Sequence, residues 1–166
     1  STVKHQAQDD ILVLLVPLVG ALEYKNLQGT KDFLEVGQSF IFPVVKGAEF
    51  EIANPYNNEL INYLHLELTT DKKQYSTDTV VEFDLNAHKN KLIPFFVDER
   101  ENNPWHVSIH LGKFNGRTEA THTLKHPTQG VFVFIVEGAF EVQNRLVQPR
   151  DGLALWNIAE IEFEAL

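Results

Sequence analysis

Short apolar runs follow one another along the whole chain, each cut off by glycine, proline or a cluster of Asn and Asp. Runs of this length, many alternating apolar with polar, predict strands. They fall at 11–19, 22–25, 33–36, 39–44, 49–53 and 60–68, then at 80–85, 91–97, 105–114, 121–124, 131–138, 153–156 and 160–166. Within 60–68 the leucines Leu60, Leu64, Leu66 and Leu68 share one face and Tyr63, His65 and Glu67 the other, because side chains alternate along a strand. Within 105–114, Val107, Ile109 and Leu111 are the expected core face, with His106, Ser108 and His110 opposite. The segment 145–150, with Pro149, reads as a loop. No stretch holds a 3.6-residue period with caps, so the chain is predicted to be all-β.

The pattern is written twice. Gly20-Ala21-Leu22-Glu23-Tyr24-Lys25-Asn26 returns as Gly138-Ala139-Phe140-Glu141-Val142-Gln143-Asn144, and each copy follows an apolar run. Glu49-Phe50-Glu51 is echoed by Glu162-Phe163-Glu164. Duplicated sets of short strands ending in Gly turns fit paired jelly-roll barrels. The polar stretch 69–79 is the expected connector, which gives domains of 1–79 and 80–166, with 80–85 as an exchanged strand.

Composition narrows the function. The chain has 166 residues and a formal net charge of −9, which argues against nucleic acid as a partner, since phosphate binding needs clustered Lys and Arg. With no Cys there is no disulfide, thiolate metal site or Cys nucleophile, and a cytoplasmic location is expected. The run from Ile11 to Leu22 is too short to span a bilayer and follows Asp9-Asp10, so it reads as a buried strand, not a membrane segment. No phosphate loop, Ser elbow or metalloprotease helix is present.

Several landmarks resemble the pirin family of the cupin superfamily, proteins built from two cupin barrels in tandem. In the first half these are Gly20-Ala21-Leu22-Glu23-Tyr24, Leu34-Glu35-Val36-Gly37-Gln38 and Phe50-Glu51-Ile52-Ala53-Asn54-Pro55. In the second they are the run from Gly130 to Asn144 and Arg150-Asp151-Gly152-Leu153-Ala154-Leu155. The resemblance implies two tandem jelly-roll (double-stranded β-helix) barrels, the first without the usual N-terminal extension. It also implies an uncovered edge on that barrel, and hence a homodimer or exchanged strands.

Family members that hold a metal do so in the N-terminal barrel, with a His-x-His pair, a later His and a Glu two residues on. Counting from Gly20 places these positions at Gln6, Gln8, Phe50 and Ile52. Gln is a feeble neutral ligand, and Phe and Ile cannot coordinate. His5 and Glu51 each lie one residue away, and a one-residue shift along a strand turns a side chain to the opposite face. The resemblance thus implies a lost metal site, with no cofactor and no catalytic residue.

In the second half the weak candidates are His122 and His126. Counting from Gly138 puts His126 opposite Gln8 and Leu124 opposite Gln6, while Phe163 and Ala165 stand for the later ligands. His106 and His110 share a strand face but belong to the expected solvent side. Glu49, Glu51, Glu162 and Glu164 flank Phe residues and read as solvated faces. The reading that follows is a non-catalytic bicupin binding a small molecule or a protein partner. The alternative is a metal-dependent dioxygenase of the quercetinase type, the activity associated with pirin-like relatives.

Overall fold

The computed structural model describes residues 1–25, 29–69, 78–97, 107–125 and 128–166. Its regular elements are strands throughout, and the chain divides into two units, Ser1–Asp84 and Leu85–Leu166.

The first unit holds β1 (Thr2–Gln6), β2 (Ile11–Val19), β3 (Leu22–Lys25), β4 (Lys31–Leu34), β5 (Gln38–Val44), β6 (Glu49–Ala53), β7 (Asn62–Thr69) and β8 (Thr79–Glu82). They form two four-stranded antiparallel sheets, in the orders β1-β6-β3-β4 and β7-β2-β5-β8. Alternation explains the core: Val13 and Leu15 on β2, Phe40, Phe42 and Val44 on β5, and Phe50 and Ile52 on β6 all enter one buried cluster with Leu22, Tyr24 and Leu34. Aromatic rings cross this core in sequence, Tyr24 to Phe40 at 4.1 Å, Phe40 to Phe42 at 4.7 Å and Phe42 to Phe50 at 5.3 Å. Burying a Phe of this kind stabilises by roughly 1.5–3 kcal/mol. Strand β8 pairs with β5, so Thr79–Glu82 joins a sheet of the first unit, which extends to Asp84.

The second unit holds β9 (Leu92–Val97), β10 (Ser108–Gly112), β11 (Glu119–Thr123), β12 (Val131–Phe134), β13 (Phe140–Val142), β14 (Arg145–Val147), β15 (Gly152–Leu155) and β16 (Glu160–Ala165). The order β11-β16-β13-β14 repeats β1-β6-β3-β4, and β12-β15 repeats β2-β5. Its core is smaller: Ile135, Val142, Val147 and Ile161, with half-buried neighbours such as Phe140 and Phe163. The expected loop at 145–150 contains β14, which pairs with β13. The duplication reaches the backbone. Gly20 and Gly138 both take φ +73° at the same turn, a conformation that favours glycine.

The ladders fix which residues of the two copies correspond. Tyr24 pairs with Ile52, and its counterpart Val142 pairs with Phe163. Phe50 therefore corresponds to Ile161, not to Phe163 as the Glu-Phe-Glu echo suggested. Their partners on the neighbouring strand are His5 and His122. The adjoining backbone bonds agree, Ala7 N to Ala48 O at 3.0 Å and Leu124 N to Ala159 O at 2.8 Å. By this register Gln6 and Gln8 answer to Thr123 and Lys125, in place of Leu124 and His126, because the strand leading to Gly138 is one residue out of step with the count from Gly20.

Candidate functional site

Strand β1 presents His5 toward the core of the first unit. His5 is the ladder partner of Phe50, and the two rings stack at 5.0 Å with 12° between planes. Gln6 and Gln8 are exposed. Gln6 Nε2 donates to Gly47 O at 3.3 Å and Gln8 Nε2 to Gln6 O at 3.4 Å. Phe50 and Ile52, each 2% exposed, lie in the core. The four positions derived from the family's ligand set therefore do not converge: two face solvent and two are packed hydrocarbon. No ion fits that set.

A different set of donors does converge. His65 and Glu67 sit two apart on β7, opposite Leu15 and Val13 of β2, so both share the face turned to the core. The His65 ring meets His5 edge-on at 4.7 Å and Phe50 at 5.7 Å. His65 Nε2 lies 3.2 Å from Glu67 Oε1. That distance suits an ion pair, yet His65 Nε2 makes no aligned hydrogen bond, and neither does the equally buried His5 Nε2. The contact is thus close but misdirected. Burial, and after it the neighbouring His5, hold His65 below the ordinary imidazole pKa, against the pull of Glu67. The neutral form of the ring is thereby favoured.

The sequence placed His65 and Glu67 on one face but gave them no third partner. His5 reaches them only because β1 and β7 are edge strands of two sheets enclosing the same core. An imidazole inside a leucine-rich alternating strand was the available signal.

The second unit repeats part of this arrangement. His122 faces His110 with ring centroids 4.8 Å apart. His110 is half-buried, not on the solvent side, because the β9–β10 ladder shifts register between Ile109 and His110; such a bulge re-aims the side chain beside it. Burial, and then His122, lower the His110 pKa. A cavity of about 330 Å³ opens here, lined by Leu92, Phe114, Phe163, Lys91, Thr121 and His122 among others. His106 and His126 lie outside the described residues. Glu49 and Glu162 are exposed, and Glu51 pairs with Lys4 at 3.4 Å.

Residues 105–166 match the quercetinase C-terminal cupin domain. The second half of the chain is thus similar to a quercetinase-type cupin domain. Among solved structures its fold is similar to YhhW of Escherichia coli (TM-score 0.79, 19% identity, 99% of this chain and 70% of that one). It is also similar to YhaK of Escherichia coli (TM-score 0.83, 14% identity, 99% and 74%). A third likeness is quercetin 2,3-dioxygenase of Acinetobacter baumannii (TM-score 0.71, 14% identity, 99% and 63%). A search of curated proteins finds no match. Among the described residues no helix is long and apolar enough to cross a membrane.

Proposed function

We propose that this pirin-like bicupin binds a small molecule and does not cleave flavonols. The observation that carries the reading is Phe50, 2% exposed and stacked into the core at a position where a flavonol-cleaving relative would need an imidazole. Ile52 beside it is equally buried. Filling a barrel centre with hydrocarbon removes the cost of unpaired buried polar groups along with the ion they would hold.

The cavity of the second unit supports a binding role. Its volume, about 330 Å³, lies within the usual range for small-molecule sites. Phe114, Phe163 and Leu92 offer apolar walls, while Lys91, Thr121 and His122 offer polar groups. A small planar molecule carrying a hydroxyl or acid group suits that lining.

A second reading, a metal-dependent flavonol dioxygenase like the Acinetobacter baumannii protein, is favoured by the His5–His65–Glu67 grouping alone. Quercetin absorbance, followed with purified protein and added Fe²⁺, Ni²⁺, Cu²⁺ or Mn²⁺, separates the two. The expected outcome is loss no faster than in protein-free controls; protein-dependent turnover with any of these ions overturns the proposal.

A further inference from the structure

His5, His65 and Glu67 bring two imidazole nitrogens and a carboxylate oxygen within 4.8 Å of one another. We propose that this cluster binds a first-row divalent transition-metal ion through a donor set different from the family's. The inference goes beyond the proposed function, because an ion held here need not act on a flavonol.

The donor geometry is the first argument. Two ligands on one tetrahedral ion, with bonds of about 2.0–2.1 Å, stand roughly 3.3–3.4 Å apart. His65 Nε2 and Glu67 Oε1 are already 3.2 Å apart, with no hydrogen bond aligned between them. With all three donors within 4.8 Å of one another, the His5 nitrogen needs to approach by at most about 1.5 Å on that same geometry. Glu67, on an edge strand and 48% exposed, has room to adjust.

Orphaned nitrogens are the second argument. His5 Nε2 and His65 Nε2 are both shielded from solvent, and both lack a hydrogen-bond partner. Buried polar atoms nearly always have one, and an exception points to a bound water or ion. A single cation between the rings would satisfy both nitrogens and the carboxylate together.

Ligand chemistry selects the ion. Imidazole with one carboxylate suits Zn²⁺, Co²⁺, Ni²⁺ or Fe²⁺, whereas Ca²⁺ and Mg²⁺ prefer all-oxygen cages. Three protein donors leave at least one position open to water or a small ligand. The donors are partly pre-arranged: His65 and Glu67 share one strand, and the His5 ring already stacks on Phe50 beside them.

Chelator-stripped full-length protein, titrated with Co²⁺ and followed by visible absorption, tests the site, with Zn²⁺ calorimetry as a second readout. One equivalent of Co²⁺ should bind, give a ligand-field band, and be displaced by Zn²⁺. His5→Ala, His65→Ala and Glu67→Gln should each weaken binding at least tenfold, while Glu162→Gln, an exposed carboxylate of the second unit, leaves it unchanged. If either His variant does not fold, Glu67→Gln, at a half-exposed position, reads the same loss. No uptake of Co²⁺, uptake unchanged in Glu67→Gln, or uptake lost in Glu162→Gln overturns the proposal. The quercetin assay is separate, so failure of the metal site and failure of the non-cleaving reading are told apart.

Discussion

In the first unit His5 meets His65 at 4.7 Å, and in the second His122 meets His110 at 4.8 Å. His5 and His122 occupy the same rung of the duplicated ladder, yet only the first pair gains a carboxylate. Two residues after His65 comes Glu67; two residues after His110 comes Gly112. A Cβ at Gly112 would lie 2.5 Å from the Phe114 ring and 2.9 Å from Leu92. The second unit thus has no space for a third donor at that point. It has a cavity beside His122 where the first has a phenyl ring stacked on His5. Two copies of one scaffold have diverged: one concentrates donor atoms beside a packed core, the other keeps an open hollow.

The largest test of that contrast is packing. Phe50→Ala should lower the unfolding free energy by about 3–5 kcal/mol, against about 2 kcal/mol for its counterpart Ile161→Ala. The reason is that Phe50 joins a larger buried cluster, while Ile161 sits in a smaller one. Urea unfolding of both variants measures this; equal losses would break the comparison.

The two glycine turns sharpen it. Both have φ +73°, so either Ala variant pays for a left-handed backbone, roughly 1 kcal/mol. At Gly20 the new Cβ would also press on Ile61 at 3.0 Å and Tyr56 at 3.1 Å, whereas Gly138 has open space. Gly20→Ala should therefore cost more than Gly138→Ala in thermal unfolding, and the reverse order would contradict the packing described here.

The smallest effect is a pH dependence in the second unit. Burial, then His122, hold the His110 pKa below the unfolded value of about 6.5. Between the two values the unfolded chain binds more protons, so stability rises with pH. The contribution is complete above about pH 6.5 and is lost as pH falls toward the folded value. His110→Gln should flatten the change in melting temperature between neutral and mildly acidic buffer; an unchanged slope would remove His110 from the account.

Much of this architecture was legible in the chain. Strands β2, β3 and β6 fall where the apolar runs end in turn residues, and the doubled Gly-Ala motif marks equivalent turns. The sites were less legible, for reasons of geometry. Gln6 and Gln8 were counted along the sequence, but alternation turns them outward and presents His5. The Glu-Phe-Glu echo matched composition while the ladder matched Phe50 with Ile161. His110 was assigned outward because a bulge leaves no mark in a periodic pattern. His5 and His65 meet across two sheets, a proximity that spacing along the chain does not encode.

Strand β2 is buried on both faces from Ile11 to Pro17 and flanked on either side by β7 and β5. Its amides have no route to solvent by fraying at an edge. Deuterium should enter them last, only when the whole Ser1–Asp84 unit opens, so their exchange rate is a direct gauge of how often that unit comes apart.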